Sequence, residues 1–153
     1  MSEPNYAGNI IVNLASLPDF LRKPILKKRM LEFFSMDEQE RKEIINNALE
    51  AGPTIPFSNF AKLFKTWLEV LTTISEEQRT VLFSGYINEI VNFPQKLINF
   101  NLDGILEIFL SLDGSKKETL AKTIKKIISN LDIKTMNRLF LIIPDSAKSH
   151  IGF

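Results

Sequence analysis

The chain offers few side chains that could carry out chemistry. It contains no cysteine and one histidine, His150, near its C-terminal end. A general base needs partners that orient it, and a structural zinc site draws several ligands from Cys, His and carboxylate side chains. The sequence therefore predicts no catalytic residue, no metal-binding residue and no cofactor, and the chain is expected not to be an enzyme.

Carboxylates are the next candidates, because paired acids can serve as general acid and base or can hold a cation. They cluster at two predicted helix starts: Asp37, Glu38, Glu40 and Glu43, then Glu76 and Glu77. Acids at a helix start are stabilised by the helix dipole, and no Glu-x-x-His motif accompanies them. The pattern favours a structural role for both clusters.

The segment Leu112–Lys117 has a glycine followed by lysines, as a phosphate-binding loop does. A phosphate loop also needs a set glycine spacing and a strand before it. The segment lacks both, so it is predicted to be a turn.

Two basic clusters could recognise an anionic partner. They comprise Arg22, Lys23, Lys27, Lys28 and Arg29, and Lys116, Lys117, Lys122, Lys125 and Lys126. Arg22 and Arg29 lie seven residues apart and share a helix face. Such clusters hold acidic peptides, nucleic acids or anionic membranes, although solvated helix faces give the same pattern. Arg22, Lys23 and Arg29 are the expected partner-binding residues of the first cluster.

Composition limits these options. Nineteen basic and eighteen acidic residues give a net charge of +1, so a nucleic-acid partner is disfavoured. The longest apolar run, Leu139–Ile143, is far shorter than the about 20 residues that cross a bilayer, and no membrane insertion is expected. The polar N-terminal residues do not resemble a signal peptide. With no cysteine, the predicted location is cytoplasmic.

A repeat of 38 residues organises the chain. At this offset Pro18, Pro56 and Pro94 coincide, and each follows an apolar residue. The alignment also brings together four apolar residues: Leu26, Phe64, Leu102 and Phe140. Self-similarity at a fixed period is typical of repeat architectures, whereas chance alignment in a leucine- and isoleucine-rich bundle is the alternative.

Each repeat is predicted to contain two helices. Proline suits the first turn of a helix, and three capping-box patterns, Ser35–Glu38, Ser75–Gln78 and Ser115–Glu118, precede the second helix. Pro24 is expected to kink the first helix or to delay its start.

The predicted fold class is all-α, with about eight helices in a right-handed-type α-α superhelix forming one domain. Its segments are a flexible stretch 1–7, a capping helix 8–17, repeats 18–55, 56–93 and 94–131, a terminal helix 132–143 and a tail 144–153.

The unit that begins at Leu17-Pro18, passes through the cap Ser35–Glu38 and continues to Ile44-Ile45 is similar to HEAT-like repeats. It also resembles the helical superhelix of the magnesium-transporter MgtE N-terminal domain and of the flagellar switch protein FliG. The resemblance covers nearly the whole chain and implies a scaffold for protein contacts, with no family site that maps onto particular residues.

The predicted terminal helix is apolar around much of its circumference. Its apolar residues are Met136, Leu139, Phe140, Leu141, Ile142 and Ile143. A terminal helix needs a polar face unless something covers it. The cover is either the tail, residues 146–153, or another chain. Another chain, in a homodimer or a complex with a protein partner, is favoured, and it would bind Leu139, Leu141, Ile142 and Ile143.

The favoured function is thus a non-enzymatic protein-binding scaffold that acts through helix-lined surfaces and the C-terminal helix. The alternative is nucleic-acid or anionic-surface binding through the two basic clusters. A third hypothesis is a small-molecule or lipid pocket lined by Phe33, Phe34, Phe60, Phe64, Trp67 and Phe109. Such aromatic residues are more typical of a core.

Overall fold

The computed structural model describes residues 6–153, and every secondary-structure element in that range is helical. The α-helices are α1 Tyr6–Ala15, α2 Asp19–Phe34, α3 Glu38–Ala51, α4 Phe57–Leu71, α5 Glu76–Asn92, α6 Leu102–Leu110, α7 Gly114–Ser129, α8 Ile133–Ile142 and α9 Asp145–His150. Short 3₁₀ helices, Gly52–Thr54 and Pro94–Leu97, follow α3 and α5. The predicted all-α class is confirmed.

Two terminal segments differ from the expected boundaries. Of the stretch 1–7, residues 1–5 lie outside the described residues, and α1 already begins at Tyr6. The predicted tail contains α9, so the described residues hold nine α-helices instead of about eight.

Helix starts recur at a regular interval. The N-cap residues of α2, α3, α4, α5, α7 and α8 are Pro18, Asp37, Pro56, Ser75, Asp113 and Asp132. Each lies 19 residues after the one before it, except that Asp113 follows Ser75 by 38. An apolar residue precedes every one of these N-caps. The interval is half of the predicted period.

Only one of the three predicted capping boxes forms in full. The Gln78 N–H donates to the Ser75 hydroxyl at 3.1 Å, and the Ser75 N–H donates to the Gln78 side chain at 3.2 Å. Helix α3 is capped by Asp37, which accepts from the Glu40 N–H at 2.8 Å. Ser35 instead ends α2, and Ser115 lies inside α7. Carboxylates at Asp37 and Asp113 occupy the N-cap positions that the pattern assigned to serine.

The third repeat does not open as predicted. Pro94 starts a 3₁₀ helix, and α6 begins only at Leu102, after the N-cap Asn101, whose side chain accepts from the Gly104 N–H at 2.9 Å. The turn before α6 brings the Phe100 ring 5.8 Å from the Phe60 ring. Pro24, by contrast, lies inside α2 and neither ends the helix nor delays its start.

Helices that alternate along the chain pack against one another. Helices α1, α3, α5 and α7 form one row of contacts, and α2, α4 and α6 form a second row. The central hydrophobic cluster fills the space between the rows and includes Met30, Phe33, Ile45, Leu71, Leu82, Leu112 and Leu120. Smaller clusters lie at the N-terminal end, around Leu14 and Leu26, and at the C-terminal end, around Ile128 and Leu139.

The C-terminal residues fold back over part of α8. The Phe153 ring lies 5.2 Å from the Phe140 ring, and the Lys148 ammonium group lies 5.3 Å from the same ring. Ile151 joins the C-terminal hydrophobic cluster. Of the two covers considered from the sequence, the tail, which was the less favoured, lies over one side of this helix.

Candidate interaction surfaces

The apolar C-terminal helix divides into covered and exposed residues. Leu139 is 3% exposed and packs in the C-terminal cluster, so it is not available to a partner. Ile142 and Ile143 are half-buried. Leu141 is 88% exposed. Leu139 was predicted to bind a partner together with Leu141, and the structure corrects this for Leu139. Residues two apart on a helix point in different directions, so only one of the two faces solvent.

A stripe along α8 remains open to solvent. Ile133, which is 77% exposed, Asn137 and Leu141 follow one another at four-residue spacing, and Lys134 and Arg138 lie beside them. All five side chains are exposed. We call these residues the α8 surface.

Arg22 is not a surface residue, which corrects the prediction that it binds a partner. It is 3% exposed, and its Nε donates to the Leu14 carbonyl at 3.1 Å. Its other nitrogens donate to the Leu17 carbonyl and the Asp19 carboxylate. Carbonyls in the last turn of a helix lack intrahelical partners. Arg22 adds a donor to the Leu14 carbonyl in the last turn of α1 and to the Leu17 carbonyl in the turn that follows. The guanidinium group therefore has a structural role.

Lys23 and Arg29 are exposed on α2, and they border an apolar strip. We define the α2 surface as the exposed apolar residues Phe20, Leu21, Pro24, Ile25 and Leu31 together with Lys23, Lys27, Lys28 and Arg29. Successive helical residues are about 100° apart, so the apolar residues share an arc of about 140°. Lys23 and Lys27 lie on one edge of the arc and Arg29 lies on the other, with Lys28 inside it.

The second basic cluster is split by ion pairs. Lys116 lies 3.1 Å from Glu69, and Lys126 lies 3.5 Å from Glu76. Lys117, Lys122 and Lys125 instead line a groove of about 490 Å³ between α6, α7 and the C-terminal residues. Its other lining residues include Phe109, Leu110, Glu118, His150 and Ile151.

A second groove, of about 660 Å³, lies between α5 and α7. Its walls combine the apolar residues Ile87, Ile127 and Leu131 with polar ones that include Glu76, Thr80, Ser84, Asn88 and Asn130. Glu76 is held by its ion pair with Lys126. The groove offers hydrogen-bonding groups but no nucleophile paired with a base.

The acidic cluster Asp37, Glu38, Glu40 and Glu43 lies at the start of α3. Asp37 caps the helix, and its negative charge raises the pKa of Glu40 above the usual range. Across residues 6–153, no three His, Asp or Glu side chains are grouped so that they could hold a metal ion.

The aromatic residues proposed to line a pocket mostly pack against one another. Phe64 stacks on Phe60 and Trp67, with ring centroids 5.6 and 5.7 Å apart. Trp67 meets Tyr86 edge-on at 5.5 Å, and burial raises the pKa of Tyr86 above its ordinary value. Among the six proposed residues, only Phe109 lines either of the two grooves.

A buried carboxylate that no sequence pattern marked lies between α3 and α5. Glu89 is almost fully buried, accepts from the Asn46 amide at 3.2 Å, and lies 3.8 Å from the Lys42 ammonium group. Lys96 in turn donates to the Asn46 side chain. Since these polar groups satisfy one another, the network fastens the segment before α6 to α3.

The chain matches no family model, no curated protein and no solved structure. Within residues 6–153, no helix combines the length and the hydropathy required to cross a bilayer.

Proposed function

We propose that the chain is a non-enzymatic protein-binding module and that a protein partner docks on the α8 surface. The observation that carries this proposal is the exposure of Leu141, at 88%, on a helix whose Leu139 and Phe140 are covered by the core and by Phe153. Burying a leucine side chain stabilises a complex by about 1.5–3 kcal/mol, so Leu141 and Ile133 are suited to be anchors.

The chemistry of the α8 surface indicates the kind of partner. Lys134 and Arg138 lie beside the two apolar anchors, and Asn137 lies between them. An apolar contact with a polar, positively charged rim suits a protein surface that carries acidic residues around an apolar pocket. A cytoplasmic location, expected from the cysteine-free composition, belongs to the same proposal.

The proposed scaffold is a right-handed-type α-α superhelix of three 38-residue hairpins, with α1 at one end and α8 and α9 at the other. Its support is the packing of alternate helices in two rows and the spacing of the N-caps by 19 residues or twice that number. Stacked hairpins present extended helix-lined surfaces, and such surfaces are typical of binding proteins.

Site-specific photo-crosslinking tests the proposal. A photoreactive side chain at Asn137, between the two anchors, is expected to capture a discrete protein in native extract. The same group at Glu50, an exposed position on α3, serves as the matched control. Adding Leu141→Glu is expected to abolish the adduct at 137, because a charge cannot enter an apolar pocket without a partner.

One outcome would identify the partner, and two others would contradict the proposal. An adduct formed by the purified protein alone, with a concentration-dependent mass, identifies a second copy of this chain as the partner. If position 137 captures nothing beyond what position 50 captures, or if Leu141→Glu leaves the adduct unchanged, the proposal is wrong.

A further inference from the structure

Exposed apolar side chains concentrate on α2. Phe20 is 75% exposed, and Leu21, Ile25 and Leu31 are each more than a third exposed. Phe20, Leu21 and Ile25 are neighbours on the first turns of α2, and Leu31 lies on the same arc beyond Lys27 and Lys28. Such a concentration of apolar side chains, unlike scattered exposed residues, marks an interaction site.

The exposure of Ile25 follows from the place of α2 at the start of its row. Ile25 lies seven residues after the N-cap Pro18. The residues seven positions after the N-caps of α4, α5, α7 and α8 are Leu63, Leu82, Leu120 and Leu139, and all of them are buried, while the equivalent residue of α3, Ile44, is half-buried. In the described part of the chain, no earlier helix of this row covers α2. Ile25 therefore faces solvent, although it occupies a position that is apolar in the other helices.

The charges around the strip are almost all positive. Lys23, Lys27 and Lys28 make no ion pair within residues 6–153, and Arg29 pairs with Glu32 at 3.2 Å. The neighbouring helix α1 contains no charged residue. Helix α4, which packs against α2, adds the exposed residues Lys62 and Lys65. The acids on α2 are Asp19, which pairs with the buried Arg22, and Glu32, which pairs with Arg29. The strip is thus bordered mainly by cations.

We propose that the α2 surface docks on an anionic lipid bilayer, with α2 lying in the plane of the membrane surface. Phe20, Leu21, Ile25 and Leu31 enter the boundary between headgroups and acyl chains, and the lysines contact lipid phosphates and carboxylates. A helix with an apolar arc edged by lysine and arginine binds membranes in this way, without spanning them.

Three other occupants fit the α2 surface less well. Interfaces with nucleic acids are polar, so the aliphatic Leu21, Ile25 and Leu31 would gain little there. An acidic protein with an apolar pocket suits the smaller α8 surface, which has two large apolar side chains and two cations. The α2 surface has four of each, and this larger area suits a bilayer better than a single pocket. A two-fold dimer places the same patch on both partners, which would bring Lys23, Lys27 and Lys28 against their own copies.

Vesicle flotation with the full chain tests the proposal. The protein is expected to float with vesicles of phosphatidylcholine mixed with phosphatidylserine at low salt, to bind less at high salt, and not to float with phosphatidylcholine alone. Phe20→Ser is expected to weaken binding by about tenfold. Ile98→Ser is the matched control, because Ile98 is equally exposed, at 76%, but lies outside the α2 surface.

A charge-reversal pair separates the α2 surface from general electrostatic attraction. Lys23→Glu with Lys27→Glu is expected to reduce binding by at least about tenfold, since each cation near an anionic leaflet contributes about fivefold. Lys122→Glu with Lys125→Glu changes the net charge equally, on α7. It is expected to leave most of the binding in place.

The cysteine-free sequence permits a direct readout of insertion that does not depend on any loss of binding. A dye whose emission depends on polarity, attached to Leu31→Cys, is expected to shift its emission to the blue with anionic vesicles, and the same dye on Ile98→Cys is not.

Absence of flotation with anionic vesicles overturns the proposal, as does an equal effect of test and control variants. Tighter binding to single-stranded RNA that survives Phe20→Ser would assign the surface to nucleic acid. Self-association lost in Phe20→Ser would assign it to a second copy. These readouts are independent of the crosslinks at the α8 surface.

Discussion

At the scale of single residues, two arginines occupy equivalent positions and make equivalent contacts. Arg22 donates to the carbonyls of the residues eight and five positions earlier, Leu14 and Leu17, and reaches Thr66, 44 positions later. Arg79 does the same with Leu71, Ile74 and Thr123. Each arginine thereby joins its own helix to the end of the preceding helix and to the next helix of its row.

The first prediction concerns Arg22. Arg22→Met is expected to lower the free energy of unfolding by about 1–3 kcal/mol, because the Leu17 carbonyl loses the donor that Arg22 supplies and the Leu14 carbonyl keeps only the Leu17 N–H. Lys23→Met, one residue away and exposed, is expected to change it by less than about 0.5 kcal/mol. Urea denaturation followed by circular dichroism measures both. Equal midpoints for the two variants would show that the arginine contacts contribute nothing to stability.

The sequence could not separate Arg22 from its neighbours. Arg22 and Lys23 stand in one basic cluster, and which of them is buried depends on the angle at which α2 meets α1 and α4. Glu89 is a similar case, since a single glutamate inside a helix gives no sign that α3 will cover it. Residue-scale roles of this kind become visible only when the helices are placed.

At the scale of elements, local chemistry predicted most helices. The capping box Ser75–Gln78 precedes α5, and Pro18 and Pro56 precede α2 and α4; each signal lies within a few residues of the helix that it marks, and the structure contains these helices. The late start of α6 was not predictable in this way. It depends on Asn101 as an N-cap and on Phe100, which packs against Phe60 in a different part of the chain.

The second prediction tests how closely α6 approaches α4. A Cβ at Gly104 would collide with the Phe57 ring and would lie 2.7 Å from the Asn101 amide. Gly104→Ala is therefore expected to destabilise the protein by up to about 1 kcal/mol, because the partly exposed Phe57 ring and the Asn101 side chain must shift. At Gly114, the first residue of α7, a Cβ meets nothing within 4 Å. Gly114→Ala is expected to be neutral or stabilising by up to about 1 kcal/mol. Thermal unfolding compares the two, and a stabilising Gly104→Ala would contradict the close approach.

At the scale of the whole molecule, the candidate surfaces were partly predictable. The apolar character of residues 139–143 is a local property, and so is the basic character of α2. The return of Phe153 onto Phe140 leaves Leu141 open, and the absence of a described helix before α2 in its row leaves Ile25 open. Both facts depend on the arrangement of the helices along the stack, which no short window of sequence contains.

The last prediction follows from the way contacts are distributed. The main helix contacts join elements one, two or three places apart in the chain, and the hydrophobic residues form a central cluster with a smaller cluster at each end. In such a stack, a defect at one end is expected to open that end without opening the rest. Leu139→Ala, in the C-terminal cluster, is therefore expected to speed amide hydrogen exchange in α8 and α9 while leaving α2, α3 and α4 protected.

Leu71→Ala is the matched substitution in the central cluster, where Leu71 is fully buried. It is expected to cost about 2–5 kcal/mol and to speed exchange in both rows of helices, because the central cluster draws residues from α2 through α7. Hydrogen exchange read by mass spectrometry distinguishes the two patterns peptide by peptide. If Leu139→Ala speeds exchange in α2 as much as in α8, the molecule unfolds as a single unit. The two ends would then be coupled through the central cluster, and a partner bound at the α8 surface would also stabilise the α2 surface.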